Sequence, residues 1–284
     1  MEGVKFLMKK SSTNSNPEVS VVIVNYNTGK LLKECIDSVI KSCPKCEIIV
    51  VDNASTDEGI TPLRLLASEG LARIRLIQNK NNPGFSKANN QAIRLAKGKC
   101  ILLLNPDTKV LGDAIQQLVD FAQVHPDAGV VAPQLLNSDN SVQNSVMPFP
   151  TIFRAIHEFW FKRKAFSKYV LNSNSPQEVE AVVMAGFLIT PKARELVGLL
   201  DEKYFMYFED LDYCKRVHQE GLNVYYVPSA QVIHYHGVSG KNLSDEKNQW
   251  RRLVPGSKLY HGVLNHYLIN FIIWFGSRIL HKYG

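Results

Sequence analysis

Two groups of carboxylates stand out in this 284-residue chain. Asp107 directly follows an apolar run in the stretch "ILLLNPDT", and Glu209, Asp210 and Asp212 crowd together after an aromatic run. A carboxylate at the tip of a rigid strand could bind a divalent cation together with a substrate phosphate. A carboxylate packed against aromatic rings could have a raised pKa, as a general base requires. The alternatives are an ordinary turn at Asp107 and a helix N-terminus at the three acids.

Two further apolar runs, "VSVVIVNYN" and "EIIVVDN", also end in polar residues. Because ligands of open parallel sheets bind beyond the carboxyl ends of the strands, we expect these tips to share one edge and to contact a ligand there. Amide, phenol and carboxylate groups suit a nucleobase and a ribose. The tips are Asn25, Tyr26 and Asn27 after the first run, Asp52 and Asn53 after the second, and Asn105 just before Asp107.

His234 and His236 alternate in "VIHYH", so on a strand both would point to the same face. That arrangement is compatible with a metal site or a phosphate-binding site, and also with a structural role. Cys43 and Cys46 have the spacing of a redox pair or half a zinc site, but no second pair completes it. We therefore interpret the two cysteines as incidental and keep the two histidines as candidate ligands of a metal or a phosphate.

The elements that must position these groups alternate between strand and helix in the first half of the chain. This pattern predicts an α/β fold, with a Rossmann-like, mostly parallel central sheet flanked by helices. "SKANNQAIRLAKG" predicts a helix closed by Gly98, and "DLDYCKRVHQEG" a helix ending at Gly221. In the second half, "VEAVVMAGFLIT" predicts one buried strand, and "LNVYYVP" and "AQVIHYH" predict two more. The aromatic, basic segment "PFPTIFRAIHEFWFKRKAFSKYV" between them could be a helical insertion, a lid or part of an acceptor groove.

Composition limits the classes of protein. The chain is 45% hydrophobic and 21% charged, as globular proteins are, and its net charge of +7 allows an anionic partner. No arginine-rich run or nucleic-acid motif is present, so we expect no nucleic acid partner. The five cysteines lack a disulfide framework, and the first 18 residues lack an apolar signal segment, which predicts a cytoplasmic protein. We divide the chain into a disordered tail 1–18, one domain 19–240 and a helical extension 241–284.

Together the segments resemble the inverting GT-A glycosyltransferases of family 2, and most of all their rhamnosyltransferase branch. The resemblance covers roughly Val19 to Gly240. It rests on "VSVVIVNYN", "IIVVDNASTD", "NPGFSKANNQAI", "LLLNPDT", "VMAGFLIT", "DEKYFMYFEDLDYCKRVHQEG" and "VIHYHGVS", in the family's order. Asn105 stands where the first aspartate of the family's Asp-x-Asp metal motif often stands. The Asn-Pro-Asp form is similar to that of rhamnosyltransferase-like members.

The resemblance also implies roles for individual residues. Asp210 would be the catalytic base with Glu209 supporting it, and Asp107, with His234 or His236, would bind Mg²⁺ or Mn²⁺. Gly186 and Asp212 would lie on the acceptor side, and Gly84 would let the backbone approach the nucleotide. The donor would contact Asn25, Tyr26, Asn27, Asp52, Asn53, Asp57, Gly84, Asn90 and Asn105.

The implied reaction is an inverting sugar transfer in one displacement. The expected partners are a nucleotide-sugar donor, dTDP-rhamnose, and a glycan or lipid-linked glycan acceptor of the cell surface. The alternatives are a UDP-hexose donor, or a nucleotide-sugar-binding protein that has lost catalysis.

The C-terminal segment "YHGVLNHYLINFIIWFGSRILHKYG" predicts an amphipathic helix. Polar residues interrupt it, so it lacks the roughly 20 apolar residues of a membrane span. Two readings stay open: a helix docked on its own domain, or an interfacial helix that holds the protein at the inner face of the cytoplasmic membrane. The residues expected on one apolar face are Leu264, Leu268, Phe271, Ile272, Phe275 and Ile279.

Overall fold

The computed structural model describes residues 17–57, 60, 73–235 and 249–280. Its centre is a nine-stranded sheet. The first half of the chain supplies β1 (Val19–Asn25), β2 (Glu47–Asp52), β3 (Ile74–Gln78), β4 (Cys100–Leu104) and β5 (Thr108–Val110). The second half supplies β6 (Ala128–Leu136), β8 (Gln177–Val179), β10 (Gly186–Ile189) and β11 (Asn223–His234), while β7 (Val146–Met147) and β9 (Ala181–Val182) form a separate two-stranded sheet.

The strand order is β3-β2-β1-β4-β10-β6-β11-β5, with β8 added beside β11. Strands β3, β2, β1 and β4 are parallel, as the sequence predicts, and Asn25 pairs with Asp52 in register. Strand β10 runs antiparallel to both β4 and β6, which restores the common direction for β6 and β11. The carboxyl ends of these six strands therefore lie at one edge of the sheet.

Two strand predictions are wrong in detail. "VEAVVMAGFLIT" contains not one strand but β9 and β10, separated by Val183–Ala185. "LNVYYVP" and "AQVIHYH" are one strand, β11, with an irregularity in its pairing between Val227 and Gln231. A bulge of this kind keeps a strand paired while adding residues, and alternating apolar residues alone do not reveal it.

Helices cover both faces of the sheet. They are α1 (Lys30–Ser42), α2 (Phe85–Leu95), α3 (Ala114–Val124), α4 (Ile152–Phe159), α5 (Pro191–Leu196) and α6 (Glu209–Gln219). Strand β1 is buried along its whole length, with Val22 and Val24 in one core cluster and Val21 and Ile23 in the other. Because successive strand residues point to opposite faces, this pattern follows from a sheet that is covered on both sides.

The predicted helix end at Gly98 is wrong, because α2 ends at Leu95. A Cβ on Gly98 would lie 2.3 Å from the backbone nitrogen of Ser20. The glycine therefore allows the chain to pass close to β1 and does not cap the helix.

The aromatic segment and the C-terminal segment pack together. The described extension contains α7 (Gln249–His261), α8 (Val263–Phe275) and a π-helical turn, Gly276–Leu280. Helix α8 buries His266, Ile269 and Ile272, the two isoleucines against Ala155 of α4. Among the described helices, none is long and apolar enough to cross a membrane.

The apolar face predicted for α8 is only partly covered by the domain. Ile272 is buried and Phe275 is half-buried, but Leu264, Leu268 and Phe271 are exposed. The side chain of Ile279 lies outside the described residues.

Candidate functional site

Asp107 and His234 form a buried corner at the carboxyl edge of the sheet. Strand β4 ends at Leu104, and the turn Asn105-Pro106-Asp107 leads into β5, which pairs with the end of β11. Asp107 is 1% exposed and His234 is 5% exposed. Asp107 Oδ1 lies 3.6 Å from His234 Nε2, so strand pairing brings together two residues that are far apart in the sequence.

Neighbouring elements hold the turn before Asp107 in place. The carbonyl of Asn105 accepts hydrogen bonds from Thr108 Oγ1 at 2.7 Å and from Cys35 Sγ at 3.5 Å. The backbone N–H of Asn105 donates to the carbonyl of Ala185 at 3.0 Å. Its side-chain nitrogen, Nδ2, lies 3.4 Å from His234 Nε2. The side chain of Asn105 is therefore placed on the His234 side of the site.

Gln143, which the sequence analysis missed, orients the ring of His234. The Gln143 amide group donates to Asn137 Oδ1 at 2.9 Å and to the carbonyl of His234 at 3.3 Å. Its Oε1 therefore accepts from His234 Nδ1, at 2.8 Å. The proton of the neutral ring resides on Nδ1, and Nε2 presents a lone pair toward Asp107 and Asn105.

The atoms that face each other at this corner are of the kinds that bind a divalent cation. A carboxylate oxygen and an imidazole lone pair, both buried, face each other across 3.6 Å. A Mg²⁺-type ion usually takes few protein ligands and completes its shell with water and phosphate oxygens. Within the described residues, no group of three or more His, Cys, Asp or Glu side chains could hold a metal. His236, the third predicted metal ligand, lies outside the described residues.

Glu209 and Asp210 lie at the start of α6, after a turn of unusual backbone geometry. Tyr207 and Phe208 both have φ of 71°, in the left-handed region that bulky residues rarely adopt. Helix α7 packs on this turn, and a Cβ on Gly256 would lie 2.8 Å from Tyr207 O. Strain of this kind persists only where the surroundings impose it. The C-terminal extension thus supports the start of α6.

Burial raises the pKa of both acids. Burial and the nearby charge of Asp210 raise the pKa of Glu209 to about 8. Glu209 Oε2 is buried and has no hydrogen-bond partner among the described residues. Burial also raises the pKa of Asp210, although Lys168 and backbone amides favour its ionised form. Two buried carboxylates next to each other disfavour the form in which both are ionised, so the pair holds a proton more readily than exposed acids do.

A short segment joins the acidic pair to the Asp107 corner. The backbone of Met184 lies near the carboxylate of Asp210 and favours its ionised form. The next residue, Ala185, accepts through its carbonyl from the backbone of Asn105. Asp210 and Asp107 are therefore positioned through the same residues at the entrance to β10.

Gly186 and Asp212, which are predicted for the acceptor side, both make contacts within the protein. Gly186 is buried, and a Cβ there would lie 2.8 Å from Pro133 Cγ, so its small size serves strand packing. Asp212 Oδ2 accepts from Arg216 Nε at 2.9 Å, one turn along α6. Two residues along a helix differ by about 200° in direction, so Asp212 points away from the side of Asp210.

The tips of β1 and β2 form one hydrogen-bonded unit. Asn25 Nδ2 donates to Asp52 Oδ1 at 2.8 Å, and Ser55 Oγ donates to the same oxygen at 2.6 Å. Asn27 Oδ1 accepts from the backbone of Thr56 at 2.7 Å, and Asp57 Oδ2 accepts from the backbone of Gly29 at 2.7 Å. Asn25 and Asp52 are buried, whereas Asn27 and Asp57, like Tyr26, are half-buried at the edge.

Three residues predicted to contact the donor make contacts within the protein. Asn53 bonds to Asn79, Asn82 and the carbonyl of Gly84. The fully buried Asn90 bonds through both ends of its amide to the backbone of Leu200. Gly84 has φ of 96°, and a Cβ there would lie 2.7 Å from Phe205 O. Asn90 and Gly84 therefore contact the loop before α6, and their contacts with the donor stay predictions.

Comparison with known proteins identifies relatives of this architecture. The profile of the glycosyl transferase family 2 domain matches residues 20–182, which is more than half of the chain. The chain is 29% identical over 234 residues to an N-acetylglucosaminyl-diphospho-decaprenol L-rhamnosyltransferase of Mycobacterium tuberculosis, covering 76% of this chain and 75% of that one. It is 24% identical over 222 residues to the dTDP-rhamnosyl transferase RfbF of Shigella flexneri, covering 77% and 69%.

A solved structure shares the fold. The structure of GalNAc-T7 with UDP, GalNAc and Mn²⁺ matches with a TM-score of 0.63 at 18% identity, covering 77% of this chain and 43% of that one. At this identity the likeness concerns the fold alone. The predicted GT-A fold, with a mostly parallel sheet between helices and a C-terminal helical extension, is confirmed.

A substitution of Gln143 removes the Oε1 atom that accepts from His234 Nδ1, and it should release the ring of His234. In Gln143→Leu, we expect ¹⁵N NMR to show the imidazole proton distributed over both nitrogens, because nothing then fixes it on Nδ1. Mn²⁺ affinity in the presence of a nucleoside diphosphate should fall about 10- to 100-fold, the usual effect of losing an outer-shell partner.

The control is Gln134→Leu, since Gln134 is also half-buried but bonds to Tyr226 and Gln231. It should leave both readouts unchanged. A Gln143→Leu protein with the wild-type ¹⁵N spectrum and wild-type Mn²⁺ affinity would contradict the role assigned to Gln143.

The raised pKa of Glu209 should make stability depend on pH. Its pKa rises from an ordinary 4.5 to about 8, so the folded protein binds the extra proton between these values. Stability should therefore decrease as pH rises from about 4.5 to 8, by up to about 1.4 kcal/mol per pH unit from this group. Glu209→Gln should remove that slope in urea unfolding measured at several pH values. An unchanged slope in the variant would show that Glu209 titrates normally.

Proposed function

Since the chain belongs to glycosyl transferase family 2 and has the GT-A fold, we propose that it is an inverting, metal-dependent glycosyltransferase in which Asp210 is the catalytic base. Residues 19–240 would form the catalytic domain and 241–284 its extension. The observation that carries the proposal is that the Met184–Ala185 segment lies next to both sites: the backbone of Met184 is near the Asp210 carboxylate, and the carbonyl of Ala185 accepts from the backbone of Asn105. A candidate base and a candidate cation site therefore lie on either side of this segment.

The proposed step is a single displacement. Asp210 accepts the proton of an acceptor hydroxyl as that oxygen bonds to the anomeric carbon of the donor sugar. The bond from that carbon to the diphosphate breaks, and the nucleoside diphosphate leaves with the electron pair. With no covalent intermediate, the configuration at the anomeric carbon inverts. A raised pKa makes Asp210 a stronger base than an exposed aspartate.

Asp107 and His234 would hold the divalent cation, Mg²⁺ or Mn²⁺. When bound, such an ion stabilises the negative charge that develops on the departing diphosphate. Their burial supports the assignment, because a charged ligand in a water-poor corner interacts strongly with a cation. Asn105 and Gln143 orient the imidazole.

The tips of β1 and β2 are the proposed place of the nucleoside. Tyr26, Asn27 and Asp57 lie at the accessible edge of this unit, and Asn25 and Asp52 form its buried base. The tips of β1 and β2 lie at the same sheet edge as the Asp107 corner. A bound nucleotide with its base at the tips and its diphosphate at the corner would require this arrangement.

The proposed donor is dTDP-rhamnose. This choice is supported by the names of the two rhamnosyltransferase relatives. A UDP-hexose is the competing donor, because the structural relative GalNAc-T7 holds UDP and GalNAc. The proposed acceptor is a cell-surface glycan, with a lipid-linked intermediate as the favoured form given the decaprenol-linked name of one relative. All five cysteines are free thiols, which supports a cytoplasmic location at the inner face of the membrane.

The donor is tested by nucleotide release from purified protein. dTDP-rhamnose, UDP-glucose, UDP-galactose and GDP-mannose are each offered with Mn²⁺ or Mg²⁺ and then with EDTA. We expect metal-dependent release of dTDP from dTDP-rhamnose at a higher rate than from any other donor. Faster release of nucleotide from a UDP-sugar would overturn the assignment of dTDP-rhamnose as the donor. The proposed transfer reaction would still stand. Release that persists unchanged in EDTA would overturn the metal dependence.

Replacing the base should abolish turnover without weakening donor binding. In Asp210→Asn, turnover should fall about 10²-fold or more, since the amide cannot take the proton. Donor affinity, measured by calorimetry, should stay near that of the wild type. Asp212→Asn is the matched control, because that carboxylate is paired with Arg216 on another side of α6. Near-normal turnover in Asp210→Asn would remove Asp210 from the mechanism.

A further inference from the structure

We propose that the outer face of α8 and the basic turn Lys162–Lys164 together form a docking surface for an anionic lipid bilayer. The inference rests on exposed side chains and charge outside the candidate site. It does not depend on which sugar, if any, the protein transfers.

Helix α8 exposes apolar side chains on the side away from the protein. Leu264 is 81% exposed, Val263 61% and Tyr267 57%. The opposite side of the helix is buried against α4 through Ile269 and Ile272. A row of apolar side chains on one side of a helix is normally covered by a partner surface. The outward row consists of Val263, Leu264, Tyr267, Leu268, Phe271 and Trp274.

Aromatic rings make this row continuous toward the end of the helix. The ring of Phe271 lies 6.1 Å from that of Trp274 and stacks on Phe275 at 5.8 Å. Contiguous apolar surface of this kind marks an interaction site on a protein. Tyrosine and tryptophan are also the side chains that favour the boundary between lipid and water.

The basic turn is fixed beside the same end of α8. Trp160 Nε1 donates to the carbonyl of Ile272 at 3.0 Å, and Trp160 packs on the ring of Phe275 at 5.7 Å. A Cβ on Gly276 would lie 2.4 Å from Phe159 O, so the two segments are in close contact. The residues that follow Trp160 are exposed: Phe161, Lys162, Arg163 and Lys164.

One acid, Glu158, lies beside this turn and offsets part of its positive charge. The carboxylate of Glu158 accepts hydrogen bonds from the backbone amides of Ala165, Phe166 and Ser167. Although burial opposes ionisation, these bonds and that of the Ser167 hydroxyl lower the pKa of Glu158 to about 2. Glu158 therefore closes the basic turn. From Gln249 to the end of the chain, the sequence contains no acidic residue.

Charge favours a bilayer over a second copy of this chain. A symmetric contact between two copies would bring two basic turns together on a protein that already has a net charge of +7. An anionic membrane surface attracts the same turn, and an apolar row inserts beside it. No described helix is long enough to span a bilayer, so α8 would lie in the plane of the interface.

The test is sedimentation of the full chain with sucrose-loaded vesicles. One set contains phosphatidylcholine and phosphatidylglycerol at 3:1, and the other contains phosphatidylcholine alone. We expect binding to the anionic vesicles, at least tenfold weaker binding to neutral ones, and weaker binding at 0.5 M salt, since salt screens surface charge. No binding to anionic vesicles would overturn the proposal.

Two variants test the two halves of the surface. The triple change Leu264→Gln, Phe271→Gln and Trp274→Gln should abolish binding, and the control Val124→Gln should not, because Val124 is 72% exposed but lies on α3. Lys162→Gln, Arg163→Gln and Lys164→Gln together should reduce binding by about two orders of magnitude, at roughly fivefold per charge.

If either triple variant bound anionic vesicles as strongly as the wild type, the proposed docking surface would be wrong. A wild-type dimer in sedimentation equilibrium that the apolar triple change dissociates would show that a second copy occupies this face and would overturn the bilayer assignment. Nucleotide release is measured on the same proteins without vesicles, so failure of membrane binding is distinguishable from failure of the transfer reaction.

Discussion

The position of the Met184–Ala185 segment, just before β10, is the constraint on which the arrangement of the site depends. On one side, the backbone of Met184 lies near the carboxylate of Asp210 and favours its ionised form. On the other, the carbonyl of Ala185 accepts from the backbone of Asn105, the first residue of the turn that ends in Asp107. The segment owes its position to β10, the antiparallel strand inserted between β4 and β6. The direction of a single short strand thus sets the relation between the two carboxylates.

The second constraint is the burial of charge. A carboxylate in a water-poor site is ionised only where donors or a cation compensate it. Glu209 has no such donor for Oε2 among the described residues, and its pKa is raised to about 8, whereas backbone amides favour the ionised form of Asp210. The turn before the pair adopts left-handed backbone at Tyr207 and Phe208, with Gly256 of α7 packed against it. The extension therefore belongs to the site's support as well as to the surface that α8 exposes.

Local sequence patterns predict those features that depend only on residues close together in the chain. The β-branched run of β1 and the polar residues after it predict the strand and its tip, because burial on both faces and termination are properties of the segment itself. The fold class and the grouping of Asn25 with Asp52 at one edge follow from strand alternation and are confirmed. The direction of β10 and the merging of two runs into β11 depend on partners distant in sequence, so the pattern could not predict them.

The contacts of the site residues also depend on partners that are distant in the sequence. Motif position identifies Gly84, Asn90 and Gly186 but not what they touch, which is Phe205, Leu200 and Pro133 respectively. Gln143 belongs to no motif and acts only through the ring of His234, so nothing in its neighbourhood along the chain could reveal it. The pairing of Asp107 with His234 rests on the register between β5 and β11.

The central claim is that Asp107 and His234 hold one cation at the diphosphate while Asp210 faces the reacting carbon. It is tested most directly by a crystal structure with Mn²⁺ and dTDP, using the anomalous signal of manganese. The account predicts a single strong peak within ligand distance of Asp107 Oδ1 and His234 Nε2, in contact with the diphosphate. A manganese peak bound to Glu209 or Asp210, or a diphosphate bound away from the Asp107 corner, would contradict it.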